Sequence, residues 1–300
     1  MNSSTPILCP PPRIALITPV RDEEAFIGGM IESIAAQQIR PARWIIVDDG
    51  SSDKTPEIIE RHARRYTFIE LLRLAPHGVR KPGGENAIAH ALNRLGLEQF
   101  EFLARFDADL LFTPDYFVRL LEEFYSDPAL GIAGGGLYVE SACGVRLERA
   151  PEYHVRGAVK MYRRECFQQI GGLAPQIGWD TIDEVRAWTK GWSTRSFFQY
   201  RVIHRRPTGG GLKLNRIYFE RGKAEYYTWS HPLFVLAKAL KLTREFKRCD
   251  APACFVAGFC ACYLQSLPRL QDRDFVRTRR RQQLGRVATL GASKLPRGDS

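Results

Sequence analysis

From Ile14 to Phe124 short apolar runs alternate with stretches whose apolar residues recur at helical spacing, and this alternation leaves few folds open to the chain. The runs are Ile14-Ala15-Leu16-Ile17-Thr18, Trp44-Ile45-Ile46-Val47, Phe68-Ile69-Glu70-Leu71-Leu72 and Phe102-Leu103-Ala104-Arg105-Phe106. Each reads as a buried strand, the first ending at Pro19. Between them lie Phe26, Ile27, Met30, Ile31 and Ile34, then Ile58, Ile59 and Ala63, then Ile88, Ala91, Leu92 and Leu95. These sets mark helix faces. Asp22, Glu23 and Glu24 fall where a helix dipole favours acid in the first turn. Thr55-Pro56 reads as an N-cap followed by Pro at the first helical position. Thr113-Pro114 opens one more helix, with Phe117, Leu120, Leu121 and Phe124 inward. Strand-helix alternation of this kind predicts an α/β domain with a mostly parallel central sheet flanked by helices.

At the end of the fourth run Asp107 and Asp109 stand two residues apart. In extended backbone such residues face the same side. The carboxyl ends of strands are where open α/β sheets place ligands. Two hard oxygen donors there suit Mn²⁺ or Mg²⁺ with phosphates, although a plain turn after a strand also uses Asp.

Other classes are disfavoured. No Gly-x-Gly-x-x-Gly opens the first helix and no Walker A pattern occurs. No internal repeat appears at solenoid periods. The seven cysteines lack C-x-x-C or framework spacing, which predicts reduced, buried thiols in a cytoplasmic setting. Residues 1–12 are polar and Pro-rich without a secretory pattern and are expected to be disordered. The net charge of +11, with Arg277, Arg279, Arg280 and Arg281 close together near the end, points to an anionic partner (a membrane surface, nucleic acid or phosphorylated substrate) or to a solvated helix end. Few aromatics accompany that cluster, so nucleic acid is not expected.

Three blocks now stand in order: Thr18-Pro19-Val20-Arg21-Asp22-Glu23-Glu24, then Val47-Asp48-Asp49-Gly50-Ser51-Ser52-Asp53, then Asp107-Ala108-Asp109. Together they resemble the family-2 inverting glycosyltransferases of GT-A fold, of the bacterial cell-surface polysaccharide type, over about residues 13–140. The resemblance implies transfer of a sugar from a nucleotide-diphosphate donor, a UDP-sugar first of all, with inversion at the anomeric carbon. It implies nucleotide contacts by Thr18, Glu24 and Asp49, the last accepting from the base's imide edge, and by Asp107. Asp48 and Asp49 also suit the turn made by Gly50 and Ser51. Arg80, with Lys81, Gly83 and Gly84, would place charge and close backbone near the diphosphate. Asp107 and Asp109 would hold Mn²⁺ or Mg²⁺, with His204 as a late additional ligand.

In the second half, Gly171-Gly172, then Gly178-Trp179-Asp180-Thr181-Ile182-Asp183-Glu184, then Gly191-Trp192 fall where the family carries its catalytic base. Alignment on Gly191-Trp192 makes Asp180 the general base, with Asp183 and Glu184 as fallbacks in the first turn of a helix through Val185 to Thr189. Trp179 stands where the family usually has Glu. The Gln-x-x-Arg-Trp motif of processive members is absent, which predicts one sugar per encounter. Expected domains are a GT-A catalytic domain over 13–222, with a nucleotide half to 112 and an acceptor half from 113, and a helical extension over 223–300. In that extension an aromatic run from Glu225 to Phe234, an apolar segment from Ala251 to Leu267 and the Arg277–Arg281 cluster read two ways. One is peripheral attachment at the inner face of the plasma membrane, suiting a glycan or lipid-linked acceptor. The other is a helical subdomain packed on the sheet or on a second protomer. Alternatives for the whole chain are a non-catalytic nucleotide-sugar or glycan-binding relic and a sugar-nucleotide nucleotidyltransferase. The second expects a Gly-rich, Arg-containing loop after the first strand, where Thr18 to Glu24 stand instead.

Overall fold

A computed structural model describes residues 11–75, 85–141, 144–148, 150–174, 177–206, 214–246 and 249–290. Two compact units divide the chain: Met1–Pro175 with Lys190–Pro207, and Gln176–Thr189 with Thr208–Ser300.

The first unit holds a nine-stranded sheet. The strands β1 (Ile14–Val20), β2 (Arg43–Asp48), β3 (Ile69–Arg73) and β4 (Phe102–Phe106) alternate with α1 (Ile27–Ala35), α2 (Thr55–Ala63) and α3 (Glu85–Leu95). They pair in parallel in the order β3-β2-β1-β4. Their continuous apolar runs are what a sheet covered on both faces requires, and nearly all of β1, β2 and β4 is buried. Beyond β4 the sheet becomes mixed. β5 (Leu110–Phe112), α4 (Tyr116–Ser126), β6 (Leu130–Ser141), β7 (Gly144–Leu147), β8 (Val159–Arg163), α5 (Arg164–Gln169) and β9 (Ser193–His204) complete the unit. β8 runs antiparallel to β4 and β6, β9 runs parallel to β6, and β5 runs antiparallel to β9. The core under β4 is aromatic, with Phe106 stacked on Phe112 and Phe117 at centroid distances of 4.8 and 5.8 Å.

Three local expectations are corrected here. Pro19 does not end β1: it pairs opposite Val47 and the strand continues to Val20. The carbonyl of Val20 faces β2, where it accepts from the N–H of Asp49. The nitrogen of Pro19 therefore faces the other side, where pairing with β4 has already ended at Ile17. No ladder bond is lost. Asp22, Glu23 and Glu24 precede α1 rather than lying in its first turn. Thr55 is not the N-cap of α2, a place taken by Lys54; its hydroxyl accepts from the N–H of Glu23 instead.

The second unit contains α6 (Trp179–Thr189), α7 (Leu214–Tyr227), α8 (Pro232–Phe246), α9 (Asp250–Leu264) and α10 (Arg273–Leu290). The helix expected at Val185 begins at Trp179, so Asp183 and Glu184 lie in its buried middle rather than its first turn. Tyr218 and Tyr226 of α7, Val235 and Ala239 of α8, and Phe255, Phe259 and Cys262 of α9 form the core. Arg269 lies against three rings, Tyr226, Trp229 and Tyr263, at 3.8, 4.3 and 4.2 Å. At the centre Glu225 is buried, with its carboxylate held by Lys238 Nζ at 2.5 Å, Arg279 Nη2 at 3.3 Å and the hydroxyl of Ser230. The arginine cluster of α10 is thus divided: Arg279 points inward to Glu225 while Arg277 and Arg281 face solvent. Of the five described cysteines, all free, only Cys166 and Cys262 are buried, and Cys249 and Cys260 are exposed. Among the described residues no helix is long and apolar enough to cross a membrane.

α7 and α9 cross where Gly222 meets Gly258. A Cβ on Gly222 would lie 1.9 Å from the carbonyl oxygen of Phe255, and one on Gly258 would lie 2.1 Å from that of Phe219. Two backbones in such contact leave no room for a methyl group, so Gly222→Ala must force the helices apart. The expected loss is roughly 2–3 kcal/mol, read as a lower urea midpoint at unchanged m-value.

Candidate active site

The order β3-β2-β1-β4 reverses direction at β1, and the loops after β1, β2 and β4 gather at the carboxyl edge of this switch point. Backbone N–H groups and side chains stitch the first two loops together. Asp22 donates its N–H to Ser51 Oγ at 3.0 Å, Glu23 to Thr55 Oγ1 at 2.8 Å and Glu24 to Asp53 Oδ2 at 3.0 Å. In return Ser52 donates its N–H to Asp22 Oδ1 and Lys54 to Glu24 Oε2. Gly50 turns the β2 loop with a φ of 81°, a region that favours glycine. Asp48 Oδ1 accepts from the N–H of Ser51, closing that turn. Asp49 is buried beside it.

Thr18 is buried too, and its hydroxyl accepts from the indole N–H of Trp44 at 3.0 Å. Its side chain braces the sheet under the loops. Glu24 stands at the surface of the stitched pair. Arg80, Lys81, Gly83 and Gly84 lie outside the described residues.

Asp107 and Asp109 follow β4 directly, and their surroundings differ. Asp107 is 37% exposed and its Oδ1 lies 2.6 Å from Nη1 of the buried Arg105. Asp109 is buried between two cations, with His204 Nε2 3.5 Å from Oδ1 and Arg206 Nη2 3.2 Å from Oδ2. The chain delivers these cations through β9. His204 pairs with Leu110 in the β5–β9 ladder, and the N–H of Arg205 donates to the carbonyl of Asp109 at 2.9 Å. Arg206 also reaches Glu23 Oε1 at 2.6 Å, joining the β1 loop to the β4 loop.

Burial opposes ionisation of Asp109, but the bonds and charges of His204 and Arg206 outweigh it and lower its pKa. Burial likewise works against charge on His204. The carboxylates of Asp109 and Glu148, the latter 3.8 Å from Nδ1, override it and push the imidazole up to about 9. A raised pKa favours the protonated ring, an imidazolium. It has a lone pair for a cation only after losing that proton, so proton and metal compete for it.

Among the described residues no three His, Cys, Asp or Glu side chains form a ready-made metal cage. The donor set fits a divalent cation in another way: one or two carboxylates, with phosphate oxygens and water completing the shell, as is usual for Mg²⁺ at phosphate sites. Asp107, Asp109 and, after deprotonation, His204 are the residues that would hold it.

Three site residues were missed by sequence reasoning. Glu23 and Arg206 were visible only as neighbours of other candidates, and Glu148, which also pairs with Arg156 at 2.9 Å, belongs to no motif. The expected base residues lie in the second unit on α6. Asp180 is half-buried in its first turn, whereas Asp183 and Glu184 are each 1% exposed.

Loops gathered at the switch point of such a sheet, with a D-x-D pair after β4, are the arrangement of the nucleotide-sugar-using class of α/β folds. The family model for glycosyl transferase family 2 matches residues 15–178, and the chain belongs to that family. Beta-monoglucosyldiacylglycerol synthase of Synechocystis sp. is 29% identical over 126 residues, which is 41% of this chain and 25% of that protein. The chain thus spans about a quarter of the length of this relative. Among solved structures, the mannosyltransferase PcManGT of Pyrobaculum calidifontis, in complex with GDP-Man and Mn²⁺, matches with a TM-score of 0.57 at 16% identity. That match covers 95% of this chain and 81% of PcManGT. GalNAc-T7 with UDP, GalNAc and Mn²⁺ matches with a TM-score of 0.62 at 12% identity, over 95% of this chain and 58% of that one. Identities this low establish the GT-A fold alone.

Proposed function

We propose that the protein is a metal-dependent inverting glycosyltransferase. In this reading it moves one sugar per encounter from a nucleotide-diphosphate donor, a UDP-sugar first of all, to a glycan or lipid-linked acceptor in cell-surface polysaccharide biosynthesis. The observation that carries it is the D-x-D pair at the switch point, set against the stitched β1 and β2 loops and backed by His204 and Arg206. Support also comes from PcManGT and GalNAc-T7, whose structures contain nucleotide, or nucleotide sugar, with Mn²⁺, and from the glycolipid product in the name of the Synechocystis relative.

Asp49 accepts from the base's imide edge and Glu24 flanks the nucleoside. Thr18 contributes by holding Trp44 beneath these loops, and Arg80 by charge at the diphosphate. Asp107 and Asp109 would hold a Mn²⁺ or Mg²⁺ ion, which when bound would supply charge stabilisation for the departing nucleoside diphosphate. Asp180 takes the proton from the acceptor hydroxyl as its oxygen attacks the anomeric carbon. The bond from that carbon to the diphosphate breaks on the opposite face, and the leaving oxygen keeps the electron pair. Its position in the first turn of α6 supports Asp180 over the more deeply buried Asp183 and Glu184. Peripheral attachment at the inner face of the plasma membrane would bring a lipid-linked acceptor within reach.

The test is nucleotide release from a panel of UDP- and GDP-sugars with Mn²⁺ or Mg²⁺, with and without a membrane lipid extract. Release from one donor, abolished by chelation, is expected. Asp180→Asn should then cut transfer by about 10²–10⁴-fold while donor affinity stays within a few-fold. Binding of nucleotide without release from any donor would overturn the catalytic reading in favour of a binding relic.

A further inference from the structure

Within the second unit α8 is apolar on both faces. Its inner face buries Val235 and Ala239, while Leu233, Leu236 and Leu240 line its outer face at 57, 54 and 57% exposure. Single exposed leucines need no explanation, but three at helical spacing on one stripe do. The stripe ends at the exposed Arg244, with the exposed Lys241 beside it. The next helix continues the pattern. From Ala251 to Pro268 the chain has no Asp, Glu, Lys or Arg, and the outward positions of α9 are Ala253, Ala257, Cys260, Tyr263 and Leu264.

Charge is distributed as unevenly. From Thr208 onward 18 Lys and Arg face seven Asp and Glu, which accounts for the whole net charge of +11. Residues 1–207 hold 26 of each sign and are neutral. α9, at 15 residues, extends about 22 Å and falls short of the ~30 Å hydrocarbon core. A helix of that length does not cross a bilayer, and any contact it made would be interfacial.

We propose that the outer face of α8 is a docking surface for an anionic lipid bilayer. Leu233, Leu236 and Leu240 enter the acyl boundary, and Lys241 and Arg244 meet headgroup phosphates. A second copy of the chain would bring like charge against like charge across this face, whereas an anionic bilayer complements both its apolar and its basic parts. This deepens the peripheral-membrane part of the proposed function and rests on that reading for its purpose.

The experiment is co-sedimentation of the full chain with vesicles of phosphatidylcholine, alone or mixed with phosphatidylglycerol, alongside solution mass and donor turnover. Expected is binding to the mixed vesicles, at least about tenfold weaker without phosphatidylglycerol and weakened by added salt. The triple variant L233S/L236S/L240S should lose at least about tenfold in binding, with thermal midpoint and nucleotide release unchanged. K241E/R244E should lose the preference for anionic lipid. Wild-type binding by the triple variant would overturn the proposal, as would a wild-type dimer that the triple variant converts to monomer. Absence of vesicle binding with nucleotide release intact overturns the docking surface alone. Vesicle binding without nucleotide release from any donor overturns the transferase reading and leaves the surface standing.

Discussion

Asp109→Asn is expected to lower nucleotide release from the donor by about 10³-fold, the equivalent of the several kcal/mol that a bound cation contributes to leaving-group stabilisation. The carboxylate is the buried member of the D-x-D pair, and it is also the anion between His204 and Arg206. Its loss should therefore appear twice. Affinity for Mn²⁺ in the presence of nucleoside diphosphate, followed by electron paramagnetic resonance, should fall with turnover. The thermal midpoint should fall too, because two cations lose their shared partner. Asp107→Asn separates these effects. Asp107 is far more exposed, so that variant should lose turnover with less change in thermal midpoint. Turnover of Asp109→Asn at the wild-type rate would refute the metal assignment.

The second large effect concerns Glu225. Glu225→Gln should lower the thermal midpoint by roughly 10 °C, because removing one partner from a buried ionic cluster typically costs ~3–5 kcal/mol. Lys238 and the buried Arg279 would keep their charges without the carboxylate that draws them together. Burial alone would raise the Glu225 pKa, but Lys238 and Arg279, with the Lys238 and Ser230 bonds, pull it from 4.5 down to about 2. The native state therefore binds this proton less readily than the unfolded chain. The stabilisation is complete above the unfolded value of 4.5 and is lost as pH falls through 2. Over that window wild type should lose roughly 3 kcal/mol that Glu225→Gln does not have to lose. Thermal midpoints from pH 5 to pH 2 should converge, and parallel curves would show that Glu225 is not the titrating group.

The parallel part of the sheet was legible because its signals are local. Each strand of the parallel set is a contiguous apolar run, and each intervening helix shows its own periodicity. Asp107 and Asp109 stood out by their spacing of two, but they lie in the turn after β4 rather than in extended backbone, so strand periodicity did not foretell their different surroundings. β5 was not: Leu110-Leu111-Phe112 is too short to show a pattern, and its partner β9 lies some 90 residues further on. Glu148 escaped for the same reason, since it approaches His204 only through the β6–β7 hairpin and the β6–β9 pairing. The early acids misled in a different way. Asp22, Glu23 and Glu24 look like helix-dipole residues, but their backbone N–H groups find acceptors in the β2 loop, and a tertiary bond of that kind leaves no local trace. The Arg277–Arg281 cluster looked uniform in sequence, but neighbours two apart on a helix point to different sides, so Arg279 could turn inward to Glu225.

The antiparallel pairing of β9 on β5 also bears on synthesis. On the ribosome the D-x-D loop emerges roughly 100 residues before His204 and Arg206, an interval of about 5–20 s at ordinary elongation rates. Throughout that time Asp109 lacks its two cationic partners, and Leu110-Leu111-Phe112 is an apolar segment without the one strand it pairs with. Nascent chains halted before Ser193 should therefore be avid chaperone clients, and the site should assemble only once β9 has been threaded into the sheet.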